Sequence, residues 1–554
     1  MKRIFLLLFL IVLYLNNTFA QSSQVKKAAD AVFSLTTFKA DGSILATANG
    51  VFVTADGMAV SPWLPFVGAS KAVVTDSKGG KHDVDAIIGA NAIYDVAKFR
   101  VKDKVPASIL ATQSKAGAGN RAWIVPDKRS NTPKNVSVKA VETFMDKYAY
   151  YIIDAEVDEI MNGCPVTDDS GRLLGIVNIS GSAPSVTDIA YPFDFSVNAM
   201  SMTDITLRQT DIRIALPSEE KDALLALMLS ADMKDAHKYE ATFNEFIAKF
   251  PKLNDGYYAG AVHYVSGRNY SDADRLMKLA AEKTEAKDEA HYNMARIILA
   301  AVTGTDDPAS LPQGWTLDKA LEETDVAYSI SPQPTYKQLK AQIFYASGKY
   351  EESYNEYMAL TNTDFDNADL YYQAMQAKAQ MGAADDVLME LIEKAIEKCD
   401  TPYTSIAAPY FLARALQYDK MQNYRKAMLD FYRYEILMNG NVGHEFYFYR
   451  GESEMRGKLY QQALNDLAHA VALDPKNTLY WAELASANLK VKKFNEAIIS
   501  SQECLRIDDT VSEAYLILGI SLAETGKKNE GLEKMRKAQE LGNAQAASFM
   551  EKYK

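Results

Sequence analysis

Cysteine and histidine are scarce in this chain. Its 554 residues include three cysteines, Cys164, Cys399 and Cys504, and six histidines. Three is an odd number, and each cysteine is more than 100 residues from the next, so we predict buried free thiols rather than a disulfide framework. No cysteine or histidine pair has the spacing of a zinc site. We therefore expect no metal and no cofactor.

Blocks of positive charge and long apolar runs are also missing. Lys and Arg number 60 against 72 Asp and Glu, which gives a net charge of −12. An acidic chain without a basic block argues against a nucleic-acid partner. Beyond residue 15, no apolar run approaches the ~18 residues that a transmembrane helix needs. The 48% of hydrophobic residues is enough for packed cores, so we expect several folded domains and no membrane span.

The first 20 residues have the pattern of a Sec-type signal peptide. Lys2 and Arg3 precede an apolar run over residues 4–15, and a polar stretch then leads to the small residue Ala20. An apolar run of this length is too short to span a bilayer as a stable helix. We expect cleavage after Ala20 and a mature protein that is periplasmic or secreted.

A protease-like motif occupies residues 153–166, which read Ile-Asp-Ala-Glu-Val-Asp-Glu-Ile-Met-Asn-Gly-Cys-Pro-Val. It resembles the nucleophile segment of trypsin-like serine proteases of the HtrA type, T-D-A-x-I-x-x-G-N-S-G-G-P-L. Asn162 stands at the serine position, and Cys164 stands at that of the second glycine. An amide is a poor nucleophile at neutral pH. The resemblance therefore implies a protease fold that no longer cuts.

The other two positions of the catalytic triad are found upstream, in the order of the family. Residues 50–64 resemble the strand–turn–strand G-x-x-x-x-D-G-x-I-L-T-N-N-H and place Leu64 at the histidine position. Residues 95–101 resemble the D-x-A-x-x-x-V strand and place Asp95 at the aspartate position. In an active enzyme that aspartate orients the histidine. With Leu64, Asp95 and Asn162 at the three positions, we expect no catalytic residue.

Substitute catalytic groups have weaker support. The only histidine between residues 21 and 210 is His82, in a Gly-Gly-Lys-His-Asp stretch that predicts an exposed hairpin turn. Cys164 is an alternative nucleophile, but no histidine lies near it in sequence to lower its pKa. Ser170, Ser180 and Ser182 occur in patterns typical of turns.

A repeat with a period of 34 residues dominates the second half of the chain. Three classes of position recur: a large ring, a small residue early in the following helix, and a small residue late in it. They are Tyr447, Trp481 and Tyr515; Ala463, Ala497 and Gly531; and Ala470, Cys504 and Ala538. The pattern resembles the tetratricopeptide repeat, TPR, W-x2-L-G-x2-Y, then A-x3-F-x2-A, then P. Gly451, Ala485 and Gly519 hold the eighth position, where a small residue lets antiparallel helices pack closely.

The predicted fold class is multidomain, with an all-β double-barrel trypsin-like domain followed by an all-α TPR solenoid. After the signal peptide of residues 1–20, we expect the trypsin-like domain over residues 21–210 and a polar linker over 211–218. Weaker units extend the array back to residue 219, so that about nine repeats form a TPR superhelix over residues 219–545. Residues 546–554 form a C-terminal cap.

A stacked array of repeats offers a concave groove to a protein or extended peptide. In this register the groove-facing residues are Tyr258, Tyr345, Tyr372, Phe448 and Glu452. Packing of these rings within the array is the alternative. The sequence thus predicts an exported, non-catalytic scaffold with a pseudoprotease head and a partner-binding solenoid. An active peptidase with an unorthodox centre and a chaperone-like factor for envelope assembly are the alternatives, and the oligomeric state stays open.

Overall fold

The structure is a computed structural model that describes residues 23–129, 132–179, 184–232 and 235–553. The predicted signal peptide, Ser180 and Ser182 lie outside the described residues. The chain divides at Asn293 into two compact units. Among the described residues, no helix combines the length and the apolarity needed to cross a membrane.

The first unit begins with the short helix α1 (Ser23–Ala28) and a closed barrel of six antiparallel strands. Around this barrel the strands follow the order β1-β2-β3-β6-β5-β4. Their bounds are β1 (Val32–Phe38), β2 (Ile44–Phe52), β3 (Met58–Ser61), β4 (Lys71–Thr75), β5 (Lys81–Asn91) and β6 (Val96–Val101).

A second closed barrel of six antiparallel strands follows, in the order β10-β11-β12-β9-β8-β7. Its strands are β7 (Arg121–Ile124), β8 (Lys134–Phe144), β9 (Tyr148–Asp154), β10 (Pro165–Thr167), β11 (Leu173–Asn178) and β12 (Ser185–Asp188), and the short helix α2 (Ala190–Phe193) comes after them. Two closed six-stranded barrels in tandem confirm the predicted trypsin-like double barrel.

The core of the first barrel is built from alternate residues of its strands. Phe33 of β1 is fully buried and its ring centroid lies 4.6 Å from that of Phe52 of β2. Gly50 pairs with Phe33 in the sheet, and a Cβ atom there would lie 2.4 Å from the Phe33 ring. The period of two along β1 and the lack of a side chain at residue 50 together make room for this ring.

Residues 211–216, expected to belong to a polar linker, are instead packed against the first barrel. The N–H of Ile87 donates to the carbonyl of Arg213, and the N–H of Ala215 donates back to the carbonyl of Ile87, both at 2.9 Å. Ile212 and Ile214 are buried in the barrel core. Its charges and Pro217 favour a linker, but every residue from 212 to 216 is buried.

Helices complete the first unit: α3 (Glu220–Ser230), α4 (Ala236–Lys249), α5 (Asp255–Ser266), α6 (Tyr270–Lys283) and the start of α7 (Lys287–Gly304). Ion pairs attach α4 to the first barrel. Glu245 of α4 accepts hydrogen bonds from Arg213 Nη1 at 2.6 Å and from Arg100 Nη1 at 3.1 Å. The first helices after residue 219 are therefore bonded to the barrel.

The second unit consists of antiparallel helix pairs, as the TPR pattern predicts. Its helices beyond α7 are α8 (Leu317–Ile330), α9 (Pro334–Ala346), α10 (Tyr350–Leu360), α11 (Ala368–Gln380), α12 (Asp385–Glu397), α13 (Ala408–Lys420), α14 (Tyr424–Leu437), α15 (His444–Arg456), α16 (Tyr460–Leu473), α17 (Thr478–Lys490), α18 (Phe494–Ile507), α19 (Ser512–Glu524), α20 (Lys528–Glu540) and α21 (Ala546–Lys552). Where α19 crosses α20, a Cβ on Gly531 would lie 2.5 Å from the carbonyl oxygen of Gly519. The small residues of the repeat allow this close crossing.

Candidate functional site

The histidine and aspartate positions of the protease motif meet in the first barrel. Leu64 begins a short 3-10 turn after β3, and its backbone N–H donates to Asp95 Oδ1 at 2.7 Å. Asp95 is only 8% exposed and has a φ of +44° directly before β6. Burial raises the pKa of Asp95, although the backbone N–H groups of Leu64 and Trp63 act in the opposite direction. Asp95 thus anchors the Leu64 backbone, in the place where a histidine would need orientation.

The Leu64 side chain is 67% exposed, so it fills no core position. Ile160, in the turn before the serine position, is 66% exposed. An aliphatic side chain has no proton to transfer and no lone pair, so Leu64 cannot replace an imidazole in acid–base chemistry. Apolar surface therefore occurs at two places where the motif of an active protease has histidine and glycine.

The serine position is held against the first barrel by one asparagine. Asn49 of β2 donates from its backbone N–H to the carbonyl of Asn162 at 3.0 Å. Its side-chain Nδ2 donates to the same carbonyl at 3.2 Å and to the carbonyl of Ile160 at 2.6 Å. The next residue, Gly163, has a φ of +79°, and a Cβ there would lie 2.1 Å from the carbonyl oxygen of Asn49. This contact explains why a glycine remains at that position of the motif.

The backbone N–H of Asn162 is bonded within the turn that precedes it. The N–H of Asn162 donates to the carbonyl of Glu159 at 3.2 Å, and the 3-10 turn Glu159–Met161 produces this bond. In an active enzyme of this fold, the N–H of the nucleophile residue points at the developing oxyanion. The amide oxygen Oδ1 of Asn162 is buried and has no hydrogen-bond partner among the described residues. The backbone N–H at the serine position is therefore bonded within its own turn and is not directed at an oxyanion site.

Cys164 does not offer a substitute nucleophile. Its side chain is 0% exposed and lies in the core of the second barrel. Burial, with the nearby charges of Asp127 and Asp158, raises the pKa of Cys164 to about 12. At neutral pH the thiol is protonated and out of reach of a substrate.

The remaining candidates for catalysis are placed elsewhere. Ser170 Oγ donates to Asp168 Oδ1 at 2.6 Å within a turn. The prediction that His82 lies in an exposed turn is wrong. His82 is the second residue of β5, its side chain is 12% exposed, and its Nε2 lies 3.1 Å from Asp76 Oδ2. The turn ends at Gly80 and the strand begins at Lys81, so His82 lies within the strand.

Three of the predicted groove residues are half-buried tyrosines. Tyr258 belongs to α5 in the first unit. In the second unit, the Tyr345 ring lies 5.4 Å from that of Tyr350, and the Tyr372 ring lies 5.3 Å from that of Tyr410, both edge to face. Burial, with the charges of Asp369 and Tyr345 among its neighbours, raises the pKa of Tyr372. Tyr345 and Tyr372 thus each pack against another tyrosine of the array.

Phe448 differs from the prediction that it faces a groove. It is only 6% exposed and belongs to an apolar core, where its ring lies 4.7 Å from that of Tyr480. The adjacent Tyr449 is 58% exposed and carries the accessible ring instead. The repeat register gave the correct helix, but one residue along a helix rotates the side chain by about 100°, which decides between core and surface.

Glu452, on the same helix as Tyr449, has a side chain that is 32% exposed and lies 3.9 Å from Arg456. Two further glutamates lie on first helices later in the array, Glu483 of α17 and Glu513 of α19. Burial, and then the charges of Glu513 and Glu452, raise the pKa of Glu483. The repeat pattern does not mark Glu483 and Glu513, because the spacing between them differs from the 34-residue period at which the ring positions recur. Among the described residues, no cluster of side chains could hold a metal ion.

Comparison with known proteins gives partial similarities. No protein-family model matches the chain. The small glutamine-rich tetratricopeptide repeat-containing protein 2 of Saccharomyces cerevisiae is 27% identical over 103 residues, or 19% of this chain and 30% of the yeast protein. This chain therefore spans less than a third of that relative's length.

Two solved protease structures are similar to part of the chain. The active form of the Rv3671c protease from M. tuberculosis has 16% identity to this chain and a TM-score of 0.26. The similar region covers 30% of this chain and 80% of the protease chain. The serine endoprotease from Yersinia pestis has 16% identity and a TM-score of 0.28. Here the similar region covers 32% of this chain and 69% of the endoprotease chain. The fold assignment rests on the strand order of the two barrels and on the helix pairs.

Proposed function

We propose that this chain is an exported, non-catalytic interaction protein. Its protease-like barrels do not cleave peptide bonds, and its repeats bind a protein partner or an extended peptide. The observation that carries the proposal is the state of the triad positions: an exposed Leu64, an Asp95 bonded to the Leu64 backbone, and an Asn162 whose N–H is bonded to Glu159. The signal-peptide pattern of residues 1–20 supports export.

Loss of the triad is costly because its members act as a unit. In enzymes of this class, removal of the serine or the histidine lowers the turnover rate by up to roughly 10⁶-fold. What remains in such cases comes from the oxyanion hole and from substrate binding. Here the inward Asn162 N–H removes one oxyanion donor as well, so little basis for residual catalysis remains.

The repeats supply the binding role. Tyrosine is common in protein interfaces because its ring buries a large area at a small cost in conformational entropy. Tyr345, Tyr372 and Tyr449 lie on the first helices of their repeats and each retains exposed surface. We assign them to the partner-binding surface, with Tyr449 in place of the buried Phe448.

Affinity capture from an envelope fraction tests the binding role. The full mature chain should retrieve a defined partner, and the triple variant Tyr345→Ala/Tyr372→Ala/Tyr449→Ala should lose at least about tenfold in affinity for it, since the removal of three interface rings costs more than 1.4 kcal/mol. The control is Leu429→Ala/Ile436→Ala on α14, a second helix, where the two side chains are 72% and 73% exposed. This control should keep the affinity.

The same capture separates the alternatives. Unchanged affinity in the triple variant would contradict the assignment and move the binding site away from these rings. Retrieval of many unrelated unfolded polypeptides, with no defined partner, would favour the chaperone-like alternative. Circular dichroism of the triple variant checks that its helices remain folded, because rings that pack within the array would reduce helicity when truncated.

A further inference from the structure

Three ionisable side chains are buried together where α14, α15 and α16 meet, and a fourth, Glu435, is partly buried beside them. Arg450 of α15 is 3% exposed, Asp466 of α16 is 6% exposed and Glu454 of α15 is 0% exposed. Arg450 Nη2 donates to Asp466 Oδ1 at 2.9 Å, while its Nη1 donates to Glu435 Oε2 of α14 at 2.6 Å. The guanidinium therefore binds two carboxylates, Asp466 and Glu435.

Glu454 is the third carboxylate, and Arg450 does not bond to it. The hydroxyl of Tyr432 from α14 donates to Glu454 Oε1 at 3.2 Å. The other oxygen, Oε2, is buried without a hydrogen-bond partner among the described residues. A bond this long from a neutral phenol does not replace the hydration that a carboxylate loses on burial.

The charges that face Glu454 come from every helix around it. α14 contributes the neutral hydroxyl of Tyr432, α15 contributes the charge of Arg450, and α16 contributes the charge of Asp466. Glu435 of α14 is bonded to Arg450. On the neighbouring side, Asp419 of α13 accepts hydrogen bonds from Ser453 and Arg456. Arg450 is already bonded to Asp466 and Glu435, so that an ionised Glu454 would add an uncompensated negative charge.

The protonated form of Glu454 removes this conflict. It is neutral, and its hydroxyl can donate a hydrogen bond to Asp466, which is bonded to Arg450. Burial and then the charge of Asp466 raise the pKa of Glu454 to about 8. Protonation thus lets one buried proton join α15 to α16.

We propose that Glu454 is a pH-dependent switch. When protonated, it holds α14, α15 and α16 together, and when it loses its proton, the packing of these helices loosens. In the folded protein the proton is retained to a higher pH than in a locally opened one, so the helices are held most firmly at low pH. Their local stability falls as the pH rises from about 4.5 towards 8. Because α15 also carries Tyr449 and Glu452, the protonation state of Glu454 controls the local stability of a helix of the proposed binding surface.

Hydrogen exchange of the full mature chain at pH 6 and pH 9 tests the proposal. Protection factors, which correct for the intrinsic exchange rate, should fall roughly 100-fold for α15 and α16, the change expected for a folded pKa of about 8 against an ordinary value of 4.5. Amides of α19 and α20 provide an internal reference and should change much less. In Glu454→Gln, which has the shape of the protonated acid, α15 and α16 should keep their protection at both pH values.

Controls keep the test decisive. Glu496→Gln replaces an exposed glutamate on α18 and should retain the wild-type fall in protection. Should Glu454→Gln fail to fold, Glu454→Met provides a second uncharged side chain of similar length. The proposal is overturned if wild-type α15 and α16 lose no more protection than α19 and α20, or if the uncharged variant shows the wild-type loss.

Discussion

At the scale of single residues, three features of the protease-like unit support the proposal that it does not cleave peptide bonds. Asn162 removes the hydroxyl, Leu64 removes the imidazole, and the 3-10 turn before Asn162 redirects a backbone donor to Glu159. The bonds from Asn49 to the carbonyls of Ile160 and Asn162 hold this turn against the first barrel. We therefore propose that this arrangement does not perform acyl transfer.

Restoring two side chains should not restore the enzyme. In the double variant Leu64→His/Asn162→Ser, the N–H of residue 162 should remain bonded to the Glu159 carbonyl. The loss of one oxyanion donor alone lowers turnover by roughly 10²–10³-fold. We predict hydrolysis of a fluorogenic peptide at no more than about a hundredth of the rate of an active protease of this fold.

A further substitution, Asn49→Ala in the double variant, asks whether the asparagine holds the turn in this state. A rise in rate on that change would support the role of Asn49. Efficient cleavage by the double variant itself would show that the bond from the N–H of residue 162 to the Glu159 carbonyl does not block oxyanion binding.

At the scale of helices and strands, α4 is joined to the first barrel by a buried ion network. Glu245 and Arg213 have side chains that are 8% and 7% exposed, and Arg100, Asp85 and Lys249 complete the network. Such a network contributes geometry more than net stability, but the removal of one partner leaves a buried charge unpaired. This coupling differs from the expectation of a polar linker over residues 211–218 between the trypsin-like domain and the repeats.

We predict that Glu245→Gln destabilises the first unit by about 3 kcal/mol, because it leaves Arg213 without a charged partner on α4. Urea unfolding, followed by tryptophan fluorescence, measures the change. Glu220→Gln on α3, where the side chain is exposed, is the matched control and should alter the unfolding free energy by less than about 0.5 kcal/mol.

Glu245 also makes the stability of the first unit depend on pH. Burial alone would raise the pKa of Glu245, but Arg213 and Arg100 outweigh it and lower the pKa to about 2. A carboxyl with a depressed pKa contributes stability above its unfolded value of 4.5, and this contribution is lost as the pH falls towards 2. The difference between wild type and Glu245→Gln should therefore shrink between pH 6 and pH 3; a constant difference would show that the ion pairs are not its source.

At the scale of the whole molecule, the sequence was sufficient for the architecture because both halves carry local patterns. In the β half, the patterns are the glycine and aspartate residues of turns. In the helical half, the pattern is the 34-residue spacing. Each pattern depends on short-range packing. The two barrels and the helix pairs confirm these predictions. The repeat period also placed Gly519 and Gly531, whose contact requires two small residues.

Contacts between residues far apart in sequence could not be predicted in this way. The bonds of Asn49 to residues 160 and 162 span more than 100 positions, and those of Glu245 to Arg100 span 145. Nothing in the local pattern of either partner marks them. Phe448 shows a different limit: its repeat position was known, but whether its ring faced inward depended on the neighbouring Tyr480.

The most direct test of the central claim is a measurement of peptide-bond cleavage by the purified mature protein. Unfolded casein and ester substrates should be hydrolysed at the rate of buffer, and a serine-directed phosphonate should add no mass to the intact chain, because neither a nucleophilic hydroxyl nor a histidine stands at the triad positions. Wild-type activity that disappears in Cys164→Ala would contradict the claim in favour of a cysteine centre. Phosphonate labelling of a serine, with activity lost in proportion to it, would contradict it in favour of a catalytic site elsewhere in the chain.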